Sequence, residues 1–289
     1  MEKLAASNRK CRGRGQANGR GWSMLGDAGE VDSNEGSDYG SDNSFSSTVG
    51  LGIKSDISIE PQEFCGAYLV RGKEDLVQLV TRCSASTYED YGEEMFLADY
   101  NEECCKFRTW SPYQSKLAAA LLKGIEYIQI FEGTKVMYLG AASGCSVSHL
   151  ADIVGEEGIV YAVETSPWAN SELLELAKRR HNVVAITEDV TLPYKYRRIV
   201  VDSVDFLFCD TLHHEQLRLL ILHARHYLRP GGHFAIMLPG APQDCVSAVN
   251  RLHAEQLETL DQSSLLPFVH GQVMAAGIYN PTIHESLIE

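Results

Sequence analysis

From residue 111 onward the chain alternates short apolar runs with longer segments of helical periodicity, and this alternation constrains the fold more than any other feature. Strands that alternate with helices form a parallel sheet with right-handed crossover connections. The expected strands are VMYL, IVYAVE, VVAIT, VDFLFCD and HFAIML, and the expected helices are QSKLAAALLKGIEYI, SVSHLADIVG, NSELLELAKRRH and HEQLRLLILHARHYL. A final hairpin-like run, GQVMAAGIYNP, is expected to close the sheet. Residues 111–289 therefore predict an α/β domain.

Two stretches of different character precede this domain. Residues 53–110 contain short alternating or apolar runs split by turn residues, which predicts a small β-rich domain. These runs are ISIEP, GAYLVRG, EMFLADY and CCKFRTW. Residues 1–52 predict a disordered tail, because neither their basic Gly/Arg stub nor their acidic Ser/Gly-rich linker buries enough apolar surface to offset ordering entropy. The RGRGQANGRG run is interpreted as solvated tail in preference to the remnant of an RNA-binding segment.

The charge of the chain restricts how it meets a nucleic acid. The sequence has 39 Asp and Glu against 25 Lys and Arg, a net charge of −14. Such a balance argues against a protein that grips nucleic acid through a broad basic surface. An RNA partner would therefore be held by a local patch or presented by another molecule.

Other simple features exclude several classes of protein. No run of eighteen apolar residues exists, so no membrane partner is expected, and the N-terminus lacks the apolar core of a secretory signal. These features predict an intracellular protein. The eight cysteines form no C-x-x-C pair, which predicts buried free thiols rather than a zinc site or a disulfide framework.

A loop of small residues, GAASG at Gly140–Gly144, separates the strand VMYL from the helix after it. In a parallel sheet, ligands bind beyond the C-terminal ends of the strands, where this loop lies. Small residues let the backbone approach a ligand closely, and the following helix offers free N–H groups. The loop is not a P-loop, since no Gly-Lys-Ser/Thr follows, and it lacks the strict G-x-G-x-x-G of dinucleotide-binding proteins.

Acidic residues end the next three strands, namely Glu164, Asp189 and Asp210. Glu164 is placed to accept hydrogen bonds from ribose hydroxyls, and Asp189 could accept one from an adenine amino group. Three carboxylates disfavour phosphates and suit a positively charged nucleoside, which points to S-adenosylmethionine. Any one of these acids alone is more often a helix cap or a turn residue.

Several motifs together resemble the fibrillarin family, the RNA 2′-O-methyltransferases of box C/D small nucleolar ribonucleoproteins. They are RGKED (71–75), WSPYQSKLAAA (110–120), VMYLGAASGCSVSHLADIVG (136–155), VYAVE (160–164), KYR (195–197) and LRPGGHF (228–234). The resemblance covers roughly residues 59–283. It implies a small β domain followed by a Rossmann-like methyltransferase domain. It also implies S-adenosylmethionine as methyl donor, guide RNA and rRNA target, a Nop-type scaffold protein and residence in the nucleus and nucleolus.

The resemblance also implies which residues serve the reaction. The implied cofactor-binding residues are Gly140, Ala141, Ser143, Gly144, Cys145, Ser146, Glu164, Thr165, Asp189, Val190, Asp210, Thr211, Leu212 and His213. The implied catalytic residues are Lys116, Asp189 and Asp210. A ribose hydroxyl is a poor nucleophile until a carboxylate draws off its proton or a lysine lowers its pKa. Without the resemblance, Lys116 would be interpreted as a solvated residue at a helix start.

The chain departs from the family pattern at four places. Pro239 occupies the position of the family's second active-site lysine, and Cys145–Ser146 replaces a threonine pair. The segment TLHHEQ carries His213 and His214 where the family has small or amide residues, and two adjacent histidines with no other partner do not predict a metal site. The long Gly/Arg tail of eukaryotic members is nearly absent.

These departures leave two hypotheses from different classes. The first is an active, divergent RNA 2′-O-methyltransferase, and the family also allows methylation of a glutamine in a protein such as a histone. The second is a catalytically impaired pseudoenzyme that serves as an assembly subunit of a ribonucleoprotein. The retained acids and Lys116 favour the first, whereas Pro239, the altered TLHHEQ loop and the acidic surface favour the second.

Overall fold

A computed structural model describes residues 52–54, 57–72, 77–83, 91–211 and 213–281 of the chain. The predicted disordered tail lies outside the described residues apart from Gly52, and the end of the RGKED motif also lies outside them. Leu212, one of the expected cofactor-binding residues, is outside them too. Within the described residues, no helix has the length and apolar character needed to cross a membrane.

The N-terminal part forms a six-stranded sheet, which confirms the expected β-rich section. Its strands are β1 (Gly52–Ile53), β2 (Ser58–Pro61), β3 (Tyr68–Arg71), β4 (Val77–Cys83), β5 (Met95–Tyr100) and β6 (Glu103–Thr109). They lie in the order β1-β5-β6-β4-β3-β2. Only the β1–β5 pair is parallel among the described pairs of this sheet. Strand β4, which reads VQLVTRC, was not among the expected strands.

The C-terminal part forms a seven-stranded sheet in the order β12-β13-β11-β10-β7-β8-β9. Its strands are β7 (Lys135–Leu139), β8 (Ile159–Val163), β9 (Val183–Ile186), β10 (Val204–Cys209), β11 (Leu228–Pro239), β12 (Leu257–Ser264) and β13 (Gln272–Tyr279). Strands β7 to β11 pair in parallel, and β13 pairs antiparallel with β11 and β12. The chain reverses its direction of winding between β7 and β10. This switch point opens a crevice at the C-terminal ends of the strands.

Five helices accompany the strands and largely follow the sequence prediction. They are α1 (Lys116–Leu122), α2 (Cys145–Val154), α3 (Pro167–Arg179), α4 (Gln216–Tyr227) and α5 (Val246–Ala254). The expected first helix was too long, because Gly124 adopts a left-handed conformation (φ 79°) just after α1 ends. Helix α5 and strand β12 were not predicted, and β12 is an edge strand whose residues are mostly polar and partly exposed.

The two sheets share a hydrophobic core rather than standing apart. Cys65, Leu79 and Trp110 of the first sheet region pack in the same buried cluster as Leu117 and Val147 of the second. A second buried cluster fills the opposite face of the seven-stranded sheet. The N-terminal sheet therefore lies against the helical layer that carries α1 and α2.

A buried ionic network adds polar contacts to that interface. Arg108 on β6 is 0% exposed, and its Nη1 donates to Glu93 Oε1 at 2.8 Å. Its Nε donates to Asp152 Oδ2 on α2 at 2.7 Å. Arg180, after α3, donates to the other oxygen of Asp152 at 2.7 Å. These contacts fix α2, whose N-terminus faces the crevice, relative to the first sheet.

The cysteine prediction is confirmed at five positions and wrong at one. Free buried thiols are Cys65, Cys83, Cys105, Cys209 and Cys245. Cys145 is free but partly exposed. Cys104 differs, since it is exposed in β6, where it pairs with Asp99 of β5, and is disulfide-bonded.

Candidate active site

A cavity of about 740 Å³ occupies the switch-point crevice. Its lining residues are Gln114, Lys116, Tyr138, Gly140, Ala141, Ala142, Ser143, Cys145, Ser146, Val163, Glu164, Thr165, Asp189, Val190, Thr191, Asp210, Thr211 and His213. Every expected cofactor-binding or catalytic residue that the structure describes lies in this lining, except Gly144. The sequence therefore predicted the location of the cavity and most of its wall.

The backbone of the GAASG loop depends on its two outer glycines. Gly140 has φ 82°, and a Cβ there would lie 2.8 Å from the carbonyl oxygen of Asp210. Gly144 has φ 98° and caps the N-terminus of α2. Although Gly144 does not line the cavity, its conformation turns the loop into the helix. Both ends have a left-handed backbone, and a Cβ at Gly144 would also lie 2.8 Å from Leu176 Cδ2, which explains why these two positions require glycine.

Tyr91, which precedes β5, also supports this loop from the N-terminal sheet region. Its hydroxyl donates to the backbone carbonyl of Ser143 at 2.7 Å. The contact joins residues far apart in the sequence, and no local pattern signals it. The N-terminal sheet region therefore helps to shape the wall of the cavity.

Glu164 holds the loop against the end of β8. Its Oε2 accepts from the backbone N–H of Ala142 at 2.8 Å. Its Oε1 accepts from the N–H groups of Thr165 and Ser166 at 2.9 and 2.8 Å. A carboxylate has about four lone-pair sites, so it retains acceptor capacity toward the cavity.

Asp189 is oriented by its neighbour Thr191. One carboxylate oxygen, Oδ1, accepts from both the backbone N–H and the side-chain hydroxyl of Thr191, each at 2.8 Å. These two hydrogen bonds lower the pKa of Asp189 below its usual value. Asp189 is therefore an anion at neutral pH, suited to accept hydrogen bonds.

An ion pair between Lys116 and Asp210 forms another part of the cavity wall. Asp210 follows β10 and Asp189 follows β9, so the two acids lie on either side of β7 and β8 in the sheet. Lys116 Nζ lies 2.5 Å from Asp210 Oδ1, and the two side chains are 25% and 12% exposed. Tyr138 donates its hydroxyl to Asp210 Oδ2 at 3.3 Å. Burial raises the pKa of Asp210, while Lys116 and the Tyr138 hydrogen bond oppose the rise.

The position of Lys116 rules out its interpretation as a solvated residue at a helix start. Ser115 caps α1 by accepting from the N–H of Ala118 at 3.2 Å, and its hydroxyl also hydrogen-bonds Ser146 at 2.8 Å. The cap fixes the first turn of α1 beside the start of α2. Lys116 therefore points inward to Asp210 instead of into solvent.

Sequence reasoning missed five lining residues. They are Gln114, Tyr138, Ala142, Val163 and Thr191. Tyr138 lies inside the apolar strand β7 and cannot be distinguished from a core residue by pattern. Thr191 could have been found, because a threonine two residues after an aspartate is a common turn partner.

Pro239 lies at the exposed end of β11, where it pairs with Gln272 of β13. It is not among the residues that line the cavity. Position 239 therefore contributes no charged side chain to the cavity beside the Lys116–Asp210 pair.

The histidines after β10 have a third potential metal ligand that the sequence analysis did not count. Ligand atoms of His213, His214 and Glu215 lie within 4.8 Å of one another. However, His213 Nδ1 accepts from the N–H of Glu215 at 3.1 Å, and the Glu215 carboxylate pairs with Arg218 at 2.9 Å. The two histidine rings stack on each other at 4.5 Å. Protein partners thus already engage one potential ligand atom of His213 and one of Glu215.

A mostly parallel sheet whose switch point carries a glycine loop and three acids at strand ends defines the class of Rossmann-like methyltransferase folds. Within that class, the family model for fibrillarin matches residues 59–280. The chain therefore belongs to the fibrillarin family, which confirms the resemblance seen in the sequence.

Named relatives and solved structures agree with this membership. The rRNA 2′-O-methyltransferase fibrillarin of Drosophila melanogaster is 41% identical over 233 residues, covering 78% of this chain and 67% of the relative. A crystal structure of Aeropyrum pernix fibrillarin with natively bound S-adenosyl-L-methionine has a TM-score of 0.70 and 31% identity, covering 78% of this chain and all of that one. A fibrillarin/Nop5p complex has a TM-score of 0.60 and 33% identity, covering 71% and 94%.

Proposed function

We propose that this chain transfers a methyl group from S-adenosylmethionine to the 2′-hydroxyl of RNA, with rRNA as the target. The observation that carries the proposal is the Lys116–Asp210 ion pair in the wall of the acid-lined cavity. The names of the relatives and the bound cofactor of the Aeropyrum pernix structure support it.

The residues of the cavity fit S-adenosylmethionine. Three carboxylates and no phosphate-binding lysine after the glycine loop suit a cation that carries no phosphate. Glu164 keeps one acceptor site, on Oε2, for a ribose hydroxyl, and Asp189 is an ionised acceptor on the same edge of the sheet. The GAASG backbone and the N-terminus of α2 offer N–H groups for the carboxylate of the methionine moiety.

The remaining polar groups suit activation of a ribose hydroxyl. When bound, the cofactor supplies an electrophilic methyl group on sulfur. Asp210 receives the proton of the 2′-hydroxyl, and its burial makes the carboxylate more basic than an exposed aspartate. Lys116 keeps Asp210 ionised before the reaction, and its positive charge stabilises the oxygen as it loses its proton. The oxygen then forms the bond to the methyl carbon, and the electron pair of the broken carbon–sulfur bond stays on sulfur.

A second candidate function is that of a catalytically impaired assembly subunit, and it rests on Pro239 standing where the family resemblance implies a lysine. Loss of a general acid–base or electrostatic group costs about 10²–10⁴ in rate. Such a chain would still bind cofactor and scaffold, because the cavity acids and the fold are intact. Glutamine methylation has no support in the named relatives and is not part of the proposal.

We propose further that the protein acts in a box C/D-type ribonucleoprotein, with a guide RNA and a Nop-type scaffold, in the nucleolus. The match to the fibrillarin/Nop5p complex supports the scaffold. The net charge of −14 supports an RNA target that other components present. A fluorescent fusion of the full chain should co-localise with a nucleolar marker, and exclusion from the nucleus would contradict this assignment.

The experiment that tests the proposed activity measures both cofactor binding and methyl transfer. Calorimetry of the full chain with S-adenosylmethionine should give micromolar binding that Glu164→Ala weakens strongly. Transfer of tritiated methyl is then measured in particles reconstituted with a Nop-type scaffold, a designed guide RNA and its matching acceptor. An acceptor with 2′-deoxyribose at the guided position should take no label.

Matched variants identify the chemistry. Asp210→Asn should lower the rate about 10²–10⁴-fold, while Asp99→Asn, at an exposed residue of β5, should not change it. Equal rates for Asp210→Asn and the parent would refute the catalytic assignment. Cofactor binding without transfer by the parent protein would favour the assembly-subunit function instead.

A further inference from the structure

Two aromatic rings stand next to the cavity without a role in the chemistry proposed above. Tyr113, just before α1, is 73% exposed. Its ring meets that of Phe268 edge to face, with centroids 5.3 Å apart and planes at 78°. With so much of Tyr113 in contact with solvent, at least one face of its ring is open.

The backbone under Tyr113 is held in a fixed turn. The Ser111 carbonyl accepts from the N–H groups of Gln114 and Ser115 at 3.2 and 3.1 Å. The Ser111 hydroxyl accepts from the N–H of Tyr113 at 3.3 Å. The exposed ring therefore stands on a rigid support, so ordering it around a ligand costs little entropy.

Phe268, whose ring contacts that of Tyr113, is also held by its backbone. Its N–H donates to the carbonyl of Leu265 at 2.9 Å, and Leu265 is fully buried. The Phe268 ring is partly buried against the core shared by the two sheets. It supports Tyr113 from one side and leaves the rest of that ring available.

The position of the pair suggests what it binds. Gln114 and Lys116, one and three residues after Tyr113, both line the cavity. The proposed acceptor oxygen must reach Lys116 and Asp210, and the base of the same nucleotide is attached to the same ribose. A base of the acceptor strand, either its own or a neighbouring one, must therefore lie close to this wall.

We propose that Tyr113, supported by Phe268, binds an unpaired nucleobase of the acceptor RNA by stacking. The inference rests on the proposed function and names a positioning residue for its RNA substrate. Single-stranded RNA is commonly held by bases stacked on aromatic side chains, and tyrosine does this with few rotatable bonds. The chain is acidic overall, so base stacking here supplies affinity that its charge does not.

The test compares two RNA probes in fluorescence anisotropy with the full chain at low salt. One probe is a single-stranded oligoadenylate of twelve nucleotides, and the other is an abasic oligonucleotide of the same length with the same phosphates. The parent protein should bind the oligoadenylate roughly 5- to 150-fold more tightly, the range expected for one stacked base. Tyr113→Ala should remove most of that preference, whereas Tyr113→Phe should keep it.

Tyr194 provides the matched control, because it is another tyrosine, 65% exposed, on a different segment. Tyr194→Ala should bind both probes as the parent does. Equal affinity of the parent for the two probes, or an unchanged preference in Tyr113→Ala, would overturn the stacking site. Calorimetry with S-adenosylmethionine on the same samples separates this failure from failure of the proposed function, because Tyr113→Ala should retain cofactor binding. A parent protein that binds no cofactor would refute the function itself.

Discussion

Replacement of Lys116 by Met removes the one cation that the described residues place within ion-pair distance of Asp210. Of the hydrogen bonds to this carboxylate from described side chains, the one from Tyr138 at 3.3 Å then remains. Removing one partner of a fully buried pair costs about 3–5 kcal/mol. Since the two side chains are 25% and 12% exposed, we expect a loss of about 2–3 kcal/mol at pH 7. That loss corresponds to a drop of about 4–12 °C in Tm.

The pH dependence follows from the direction of the pKa shift. Burial already raises the pKa of Asp210 above its unfolded value, and Lys116 opposes that rise, so the pKa rises further in Lys116→Met. A raised pKa means that the folded state binds more protons than the unfolded state between the two values. Stability therefore falls as the pH rises through that window, and the cost of the substitution shrinks as the pH falls. The acid limb of the methyl-transfer profile should move to higher pH, because the carboxylate must be ionised to accept a proton.

Thermal denaturation across pH, together with the pH–rate profile, measures both effects. The double variant Lys116→Met/Asp210→Asn is the control, since it leaves no uncompensated charge and should recover most of the lost stability. An unchanged Tm and an unchanged acid limb in Lys116→Met would refute the reasoning. A double variant that is less stable than the single one would refute it as well.

Three further substitutions follow from the same geometry. Gly140→Ala puts a Cβ 2.8 Å from the carbonyl oxygen of Asp210 at a φ of 82°. The variant should lose about 1–3 kcal/mol of stability in denaturation and should bind S-adenosylmethionine more weakly in calorimetry. Unaltered cofactor affinity would contradict the close approach. Arg108→Met removes the arginine that pairs with buried Glu93, while Asp152 keeps its ion pair with Arg180, and should cost about 3 kcal/mol in urea unfolding. A loss below about 1 kcal/mol would show that the network contributes little. Pro239→Lys restores the charge that the family pattern has at this position and should raise the methyl-transfer rate about 10²-fold or more. An unchanged rate would show that the proline position does not limit the reaction.

Much of the fold and of the cavity could be predicted because their signals are local. The alternation of strand and helix periods fixed the order of the elements, and glycine and acidic residues at strand ends marked one edge of the sheet. Since parallel strands end at the same edge, Glu164, Asp189 and Asp210 had to lie together. The same reasoning placed the GAASG loop at that edge.

The misses arose where local pattern carries little information. Strand β12 is a polar edge strand, so its burial signal is weak, and α5 buries mainly Leu252. Helix α1 ends early because a single glycine takes a left-handed conformation, which periodicity does not report. Tyr138 lines the cavity and donates a hydrogen bond to Asp210, but its place in the apolar strand β7 makes it look like a core residue.

The sequence by itself determined the alternation of strands and helices from β7 to β11, the family and the acidic edge of the sheet, because each depends on residues near one another in the chain. Only the tertiary structure decided the pairings across the fold. Lys116 meets Asp210 across 94 positions, Arg108 meets Asp152 across 44, and Tyr113 meets Phe268 on a distant loop. Such contacts have no local signature. Loop closure and packing bring these residues together, and no fixed spacing in the sequence marks the pair. The pKa of Asp210 depends on such a contact, because it reflects burial and an ion pair that exist only in the folded chain.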